Sequence, residues 1–192
     1  MNFPASNSED YVTIGDQGLH ELRAFTICAW VKFLSTANGT IVSYSAPGST
    51  NEISIYVFLN HVLFAVKDDW KWTETSAFGS SSWHSLCLTW SSMNGEIRLY
   101  EDKVLRDVIT GVGTGQKITR GGNWTLGKDQ AAAGEIPIYG KLMEVNVWGC
   151  VLPAEDISKF STDCKSGIHG DIKRWTDFEA CSGRGRQDCG YN

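Results

Sequence analysis

Four short stretches with a side-chain period of two restrict the folds open to this chain. They cover residues 25–33, 53–59, 62–66 and 84–90. Alternation with this period is typical of β-strands, whose successive side chains point to opposite faces. Turn-forming Gly, Ser and Asn residues separate the stretches. The sequence therefore predicts an antiparallel sandwich or barrel.

A hairpin signal supports this interpretation. Asn94-Gly95 lies between residues 84–90 and a further strand-like stretch at residues 96–100. Both turn residues tolerate the positive φ that tight hairpins require. We expect the two flanking strands to pair with each other.

One segment has the pattern of a helix. Pro153 stands near its start, and Glu155 and Asp156 lie in its first turn. Ile157 and Phe160 are three residues apart and share a face. The fold predicted is thus all-β, with one short helix near residues 153–160.

Length and charge restrict the partners of the chain. The chain has 17 Lys and Arg against 22 Asp and Glu, which gives a formal net charge of −5. Proteins that bind nucleic acids carry basic patches instead. No apolar run approaches the length of about 18 residues that a membrane-spanning helix needs. We expect neither nucleic-acid binding nor membrane insertion. Residues 1–181 are interpreted as one domain, and the Gly-rich residues 182–192 as a tail anchored by Cys189.

Six cysteines without a C-x-x-C pair favour disulfides and an extracellular location. No leader pattern precedes Phe3, so we interpret the sequence as a mature, secreted domain whose signal peptide has been removed. The alternative is a cytosolic protein with buried free thiols.

Sequence motifs for catalysis are absent. The chain contains no G-x-S-x-G elbow, no H-E-x-x-H helix and no E-x-D-x-E strand. Adjacent acids such as Asp68 and Asp69 point to opposite faces of a strand and do not converge on one substrate. We predict a protein that is not an enzyme.

Two sequons are candidates for N-glycosylation in a secreted protein. They begin at Asn38 and Asn123. Asn38 lies in a polar turn and is the better candidate, although an unmodified turn residue explains the sequence equally well.

Several segments in register resemble the pentraxin family, which includes C-reactive protein and serum amyloid P. Residues 87–92 (Cys-Leu-Thr-Trp-Ser-Ser) resemble the family signature H-x-C-x-[ST]-W-x-[ST], and Leu126-Gly127 and residues 145–148 follow in the family's order. The resemblance covers about residues 3 to 178. It implies a two-sheet antiparallel jelly-roll sandwich, related to concanavalin and laminin G domains, with one helix on one face.

The resemblance also implies a disulfide between Cys28 and Cys87. Four further cysteines allow three pairings. By analogy with multidomain relatives we expect Cys164 to pair with Cys181, which leaves Cys150 for Cys189.

The family signature is not intact. Its histidine position holds Ser85, and His84 lies one residue away. A shift of one residue turns a side chain to the other face of a strand. We therefore expect His84 to be a half-buried structural histidine.

Members of the pentraxin family bind two calcium ions on one face. The positions that match the family's ligands here hold Asn51, Asp129, Gln130 and, in a shortened loop, Glu135. Thr50 and Ala131 replace two of the family's carboxylate residues. Two carboxylates do not neutralise two divalent ions, and the charge of Lys128 opposes a cation further. The sequence predicts either one weak calcium site or a polar loop without metal.

Aromatic residues are expected near the same face. Tyr56 stands where the family has an aromatic residue beside its ligand, and Trp70 and Trp72 alternate with charged residues. Exposed tryptophans stack on a sugar or a quaternary ammonium group. The alternative is that both tryptophans lie in the core.

Together these features predict an extracellular recognition domain with at most weak calcium dependence. Its partners are a carbohydrate, a phosphate-bearing ligand or an extracellular protein, and the family's closed rings favour a homo-oligomer. The alternative is a calcium-independent protein-contact or dimerisation module of an adhesion receptor or matrix protein. Calcium dependence distinguishes the two.

Overall fold

The structure is a computed structural model. It describes residues 1–4, 10–16, 20–34, 38–58, 60–75, 78, 81–130 and 136–182, with the backbone alone for residues 180–182.

Two antiparallel six-stranded sheets form the body of the domain. The first sheet contains, in spatial order, β1 (Asn2–Phe3), β12 (Gly140–Trp148), β3 (Ala24–Phe33), β8 (His84–Ser91), β9 (Glu96–Glu101) and β10 (Val104–Ile109). The second contains β2 (Val12–Gly15), β11 (Asn123–Leu126), β4 (Asn38–Ala46), β5 (Ser49–Phe58), β6 (His61–Val66) and β7 (Asp69–Glu74). The sequence-based prediction of an all-β jelly-roll sandwich is confirmed.

The hydrophobic core lies between the inner faces of the two sheets. Its largest fully buried side chains include Trp90, Trp124, Phe25, Phe33 and Phe64. Burial of each such side chain contributes about 1.5–3 kcal/mol before entropy costs, so the core dominates the stability of the fold.

Strand β3 is buried on both faces, although its sequence alternates. It lies in the interior of the first sheet, and the chain that follows β12 crosses its outer side. The Thr26 hydroxyl donates to the carbonyl of Cys150 (2.7 Å) and accepts from the amide of Leu152 (2.9 Å). These bonds fix the start of the segment that leads into the helix.

The expected hairpin joins β8 to β9 at Asn94 and Gly95. Gly95 has φ of 63°, a left-handed conformation that favours glycine. A Cβ at this position would lie 2.4 Å from the amide nitrogen of Val112, so the turn also requires the absence of a side chain.

The expected helix, α1, spans Ala154–Phe160. It buries Ile157 and Phe160, and the Phe160 ring meets Trp148 edge to face at 6.1 Å between centroids. The prediction of a single helix was incomplete, because a second helix, α2, spans Trp175–Ser182. Among its described side chains, the apolar face consists of Trp175 and Phe178, and that signal is short.

Helix α2 packs against β2 and β12, and its two apolar side chains are buried there. The helix ends at Ser182, and the division of the chain into a domain and a tail stays a prediction. None of the described helices has the length and apolarity needed to cross a membrane.

Cys28 and Cys87 lie opposite each other on the neighbouring strands β3 and β8 and form the expected disulfide. Cys164 is also disulfide-bonded. The side chain of its expected partner, Cys181, lies outside the described residues, as does Cys189. The prediction of a bond between Cys150 and Cys189 is wrong, because Cys150 is a free cysteine. It is exposed just beyond the end of β12.

Candidate functional site

The outer face of the second sheet carries the residues expected at a binding site. Cross-strand register places Thr125, Ser43 and Ser54 side by side, followed by Ala65 and Trp70 at the edge. Ser43, Ser54 and Thr125 are fully buried although they face outward. Another part of the chain therefore covers this half of the outer face.

The covering segment begins after β11. Gly127 has φ of 91°, and a Cβ there would lie 2.4 Å from the ring of Phe3. The chain then crosses the outer face, where the Ser43 hydroxyl donates to the carbonyl of Lys128 (3.1 Å). The side-chain amide of Gln130 donates to the carbonyl of Asn123 (2.8 Å).

Asp129 is the carboxylate of this segment, and it is 3% exposed. It accepts one hydrogen bond from the hydroxyl of Tyr56 and another from the amide of Gln130 (2.6 Å). The structure thus brings three of the predicted site residues together. Glu135 lies outside the described residues.

Asn51 is not joined to this group. Its side-chain amide donates to a carboxylate oxygen of Asp68 (2.7 Å), and its own side-chain oxygen is buried without a hydrogen-bond partner. No described hydrogen bond connects Asn51 with Asp129 or Gln130.

Two acidic residues near Asn51 were not among the predicted ligands. Asp68 has φ of 62° in the turn between β6 and β7. Its amide donates to the carbonyl of Asn51 (3.0 Å), and the register between β5 and β6 is the signal that places the two residues opposite each other. Glu52 is fully buried, and it accepts from the Lys67 ammonium (2.7 Å) and from the amide of Thr119 (2.8 Å). Glu52 therefore stabilises the turn and is committed to it.

The ammonium group of Lys128 lies 4.0 Å from the centroid of the Tyr11 ring. A cation over an aromatic face is attracted by the electrons of the ring. This contact holds the Lys128 ammonium at the Tyr11 ring. The expected opposition of its charge to a cation near Asp129 stays a prediction.

Five side chains, Tyr56, Phe58, His61, Trp70 and Trp72, form what we call the aromatic surface, on the outer face of β5, β6 and β7. Tyr56 lies 5.7 Å from Trp70 and 6.2 Å from Phe58, and His61 meets Trp72 edge to face at 5.1 Å. Trp70 is 37% exposed and Trp72 is 60% exposed, whereas Tyr56 is buried beneath them. The expected proximity of Tyr56 and Trp70 is present; Phe58 and His61 were missed, because their placement follows from strand register.

A second cluster of ionisable groups lies on the first sheet. His84 Nδ1 is 2.7 Å from a carboxylate oxygen of Asp102, whose other oxygen accepts from the amide of Ser85 (2.8 Å). The Asp102 carboxylate raises the pKa of His84. Glu101 is nearby but forms an ion pair with Arg106 (3.0 Å). His84 is thus half-buried and held by a structural partner.

Both sequon asparagines are exposed at strand ends, Asn38 at the start of β4 and Asn123 at the start of β11. The hydroxyls of their threonines are engaged, since Thr40 donates to the carbonyl of Ile136 (2.8 Å) and Thr125 bonds Thr13 (2.8 Å). Glycosylation at these positions stays a prediction.

Comparison with known proteins identifies relatives over most of the chain. A sequence-family profile described as the concanavalin A-like lectin/glucanases superfamily matches residues 6–158. C-reactive protein 1.4 of Limulus polyphemus is 30% identical over 199 residues, which cover 95% of this chain and 82% of that protein.

The chain is also 29% identical over 185 residues to the Rattus norvegicus protein named Sushi, von Willebrand factor type A, EGF and pentraxin domain-containing protein 1. That match covers 93% of this chain but only 5% of the much longer relative.

A solved structure, the native heptameric SAP-like pentraxin from Limulus polyphemus, has the same fold with a TM-score of 0.78 and 20% sequence identity. The match covers 92% of this chain and 88% of that chain. The profile match, the similarity to a C-reactive protein over nearly the whole chain and the two-sheet sandwich agree with one another, and the chain belongs to the pentraxin family.

Proposed function

We propose that this chain is an extracellular recognition domain without catalytic activity, and that it binds carbohydrate through the aromatic surface. The observation that carries the proposal is the exposure of Trp70 and Trp72 on the outer face of β7. Exposed clusters of large apolar side chains with a polar rim mark binding sites on soluble domains.

The chemistry of the surface suits a sugar. The pyranose ring presents a face of C–H groups, which stacks on the electron-rich face of an indole. His61 and Glu74 lie opposite each other at the end of β6 and β7 and offer hydrogen-bonding groups to sugar hydroxyls. Stacking of a flat ring face beside hydrogen-bonding groups is a common arrangement in sites that bind a ligand without catalysing a reaction.

The aromatic surface is supported from below. Tyr56 lies under Trp70, and its hydroxyl is fixed by the buried Asp129. Because the supporting ring is already in place, a ligand pays little entropy to order the site. In this arrangement Asp129, which matches one of the family's metal ligands, has a different role, the positioning of an aromatic ring.

Among the described residues, the groups at the positions of the family's calcium ligands already have protein partners, which supports weak calcium binding or none. Calcium takes six to eight oxygen ligands, mostly from carboxylates and carbonyls. Asp129 supplies one carboxylate and is engaged by Tyr56 and Gln130, while Asn51 is paired with Asp68 instead. We therefore expect ligand binding with weak calcium dependence or none.

The proposal is tested by the retention of the protein on agarose that carries galactose, mannose or N-acetylglucosamine, with phosphocholine-agarose as a separate arm. Each column is run in calcium and in excess EDTA. We expect retention on at least one sugar, quenching of tryptophan fluorescence by the free sugar, and little change with EDTA.

The variant Trp72→Ala should lose most of the retention, because more than half of this side chain is in solvent and its removal leaves the core intact. Met93→Ala, which truncates an exposed apolar residue of the first sheet's hairpin, is the matched control. If no sugar retains the protein, or if Trp72→Ala binds as well as the unmodified chain, the aromatic surface is not a carbohydrate site.

A calcium-independent protein-contact module is the second candidate function. It is favoured by the separation of Asn51 from Asp129 and by the similarity to one segment of a long protein whose name includes several domain types. In that case sugars and phosphocholine have no effect, and a Trp72→Ala substitution weakens binding to an extracellular protein instead.

A further inference from the structure

Strand β10 is an edge of the first sheet and carries exposed apolar side chains. Val104 is 49% exposed, and Leu105 and Val108 are each 45% exposed. On its free side no described strand pairs with β10. An edge strand of this kind presents backbone N–H and C=O groups to any chain that can pair with it.

A β-bulge brings two of these apolar residues to one face. Leu105 lies opposite Tyr100, and Val108 lies opposite Arg98. Tyr100 and Arg98 are two residues apart and share a face of β9, so Leu105 and Val108 also share the outer face. In a regular strand, residues three apart face opposite ways. Here the bulge adds Arg106 as an extra residue and removes that difference.

The charged residues of β10 face the other way. Asp107 lies opposite Leu99, whose side chain is in the core, and it accepts a hydrogen bond from Thr73 of β7. Arg106 pairs with Glu101, on the same face of β9 as Leu99. Arg106 and Asp107 thus stand next to each other on the inner side of the edge.

We propose that β10 pairs edge to edge with β10 of a second copy of this chain, in an antiparallel register related by a twofold axis. In this register, residues whose numbers sum to 213 lie opposite each other: Val104 with Ile109, Leu105 with Val108, and Arg106 with Asp107.

The order of residues along β10 is self-complementary in this register. Residues 104–109 read apolar, apolar, basic, acidic, apolar, apolar, and reversal of the strand places like on like and basic on acidic. The faces also agree, because Leu105 and Val108 are both outer, whereas Arg106 and Asp107 are both inner. Opposite residues in an antiparallel pair must share a face. A regular strand that pairs with itself therefore needs opposite residue numbers with an even sum, and the bulge in β10 is what permits the odd sum of 213.

Bulges and charges on an edge strand ordinarily prevent pairing with other chains. In the proposed register the bulges of the two copies coincide, and each Arg106 meets the Asp107 of the other copy. Because symmetry repeats every contact, the interface is closed and joins two copies through one continuous sheet of twelve strands. A second copy of the chain supplies this match of charge through its own sequence.

The test uses sedimentation velocity over protein concentrations from about 1 to 100 μM, the range in which a small interface associates. The Cys150→Ser variant serves as the background, so that the exposed thiol does not link chains. We expect this protein to have at least twice the mass of Leu105→Lys and of Val108→Glu. Each substitution should weaken association at least about tenfold, because it places an unpaired charge opposite an apolar residue.

The register is tested by rescue. In the double variant L105K/V108E, each lysine lies opposite a glutamate of the other copy, so the dimer should return. An equimolar mixture of the two single variants should also form heterodimers, whereas neither single variant associates alone. Met93→Lys, which charges an exposed apolar residue elsewhere on the first sheet, should leave the mass unchanged.

Three results would overturn the proposal: a protein that stays monomeric over the whole range, an assembly that both single variants leave intact, or single variants that dissociate without rescue. Near-ultraviolet circular dichroism and the melting temperature verify that each variant is folded. Quenching of tryptophan fluorescence by free sugar is a separate readout, since it requires only one binding face and Leu105 and Val108 are not part of the aromatic surface. Loss of association with sugar binding intact separates this inference from the proposed function.

Discussion

Removal of the disulfide between Cys28 and Cys87 should destabilise the domain by an amount that follows from the length of the loop it closes. The two cysteines are 59 residues apart in sequence. In the chain-entropy model, a link of this span stabilises the folded state by roughly 4 kcal/mol, because it restricts the unfolded chain. For a domain of this size that corresponds to a fall in melting temperature of roughly 8–16 °C.

The assay is thermal and urea unfolding of the double variant C28A/C87A beside the unmodified chain. Substitution is preferable to chemical reduction, because Cys164 is disulfide-bonded as well and a reductant would break both bonds. Both sulfurs are buried between neighbouring strands, so part of the loss is packing, and a fall larger than the loop estimate is consistent with the reasoning.

The matched control is Cys150→Ala, which removes a free, exposed thiol and should change the free energy of unfolding by less than about 0.5 kcal/mol. If C28A/C87A lowers the free energy of unfolding by less than about 1 kcal/mol, with an unchanged urea m-value, the loop-entropy argument is refuted.

Three further expectations follow from single contacts. Asp102 raises the pKa of His84, so their pairing stabilises the fold below the unfolded histidine pKa of about 6.5, and this contribution is lost as pH rises through the higher folded pKa. Asp102→Asn should remove that pH dependence, measured as unfolding free energy between about pH 5 and 9, and an unchanged profile would contradict the assignment. Burial, with a smaller contribution from Asp171, raises the pKa of the Cys150 thiol. A thiol reagent should therefore modify Cys150 in the folded protein, and the reaction should be markedly faster at alkaline pH. Absence of labelling under native conditions would show that Cys150 is paired. Gly95→Ala should destabilise the domain by more than about 1 kcal/mol in urea unfolding, because the residue has positive φ and its Cβ would collide with Val112; the open turn glycine Gly48 provides the control, where Gly48→Ala adds strain without a clash.

Local sequence patterns were sufficient for β3, β5, β6, β8 and β9, the main hairpin and α1, whereas the other described strands were not predicted individually. Alternation over residues 25–33 and 84–90 predicts β3 and β8, because each is long enough for its period to be recognised. Helix α2 was missed, since eight residues with only two large apolar side chains give little signal and its stability comes from packing on β2 and β12.

The candidate site was predictable only in part, for a related reason. Tyr56 and Trp70 meet because two consecutive hairpins fix their register, and hairpin register is a local property. The separation of Asn51 from Asp129 depends on how the segment after β11 folds over the second sheet, which no local pattern specifies. The free thiol of Cys150 was also not predictable from local patterns. Its pairing with Cys189 was expected only because the other four cysteines had been assigned to each other.

The hydrogen bond from Thr73 to Asp107 joins β7, which carries Trp70 and Trp72, to β10, so the proposed sugar-binding face and the proposed dimer edge are neighbours. A dimer formed at β10 would therefore hold two binding faces at a fixed separation. A glycan polymer that reaches both would bind the second face at an effective concentration in the millimolar range, and avidity could exceed the affinity of one face by about 100-fold. A domain with weak affinity for a single sugar would then bind repeated sugars on a surface far more tightly than the same sugar free in solution.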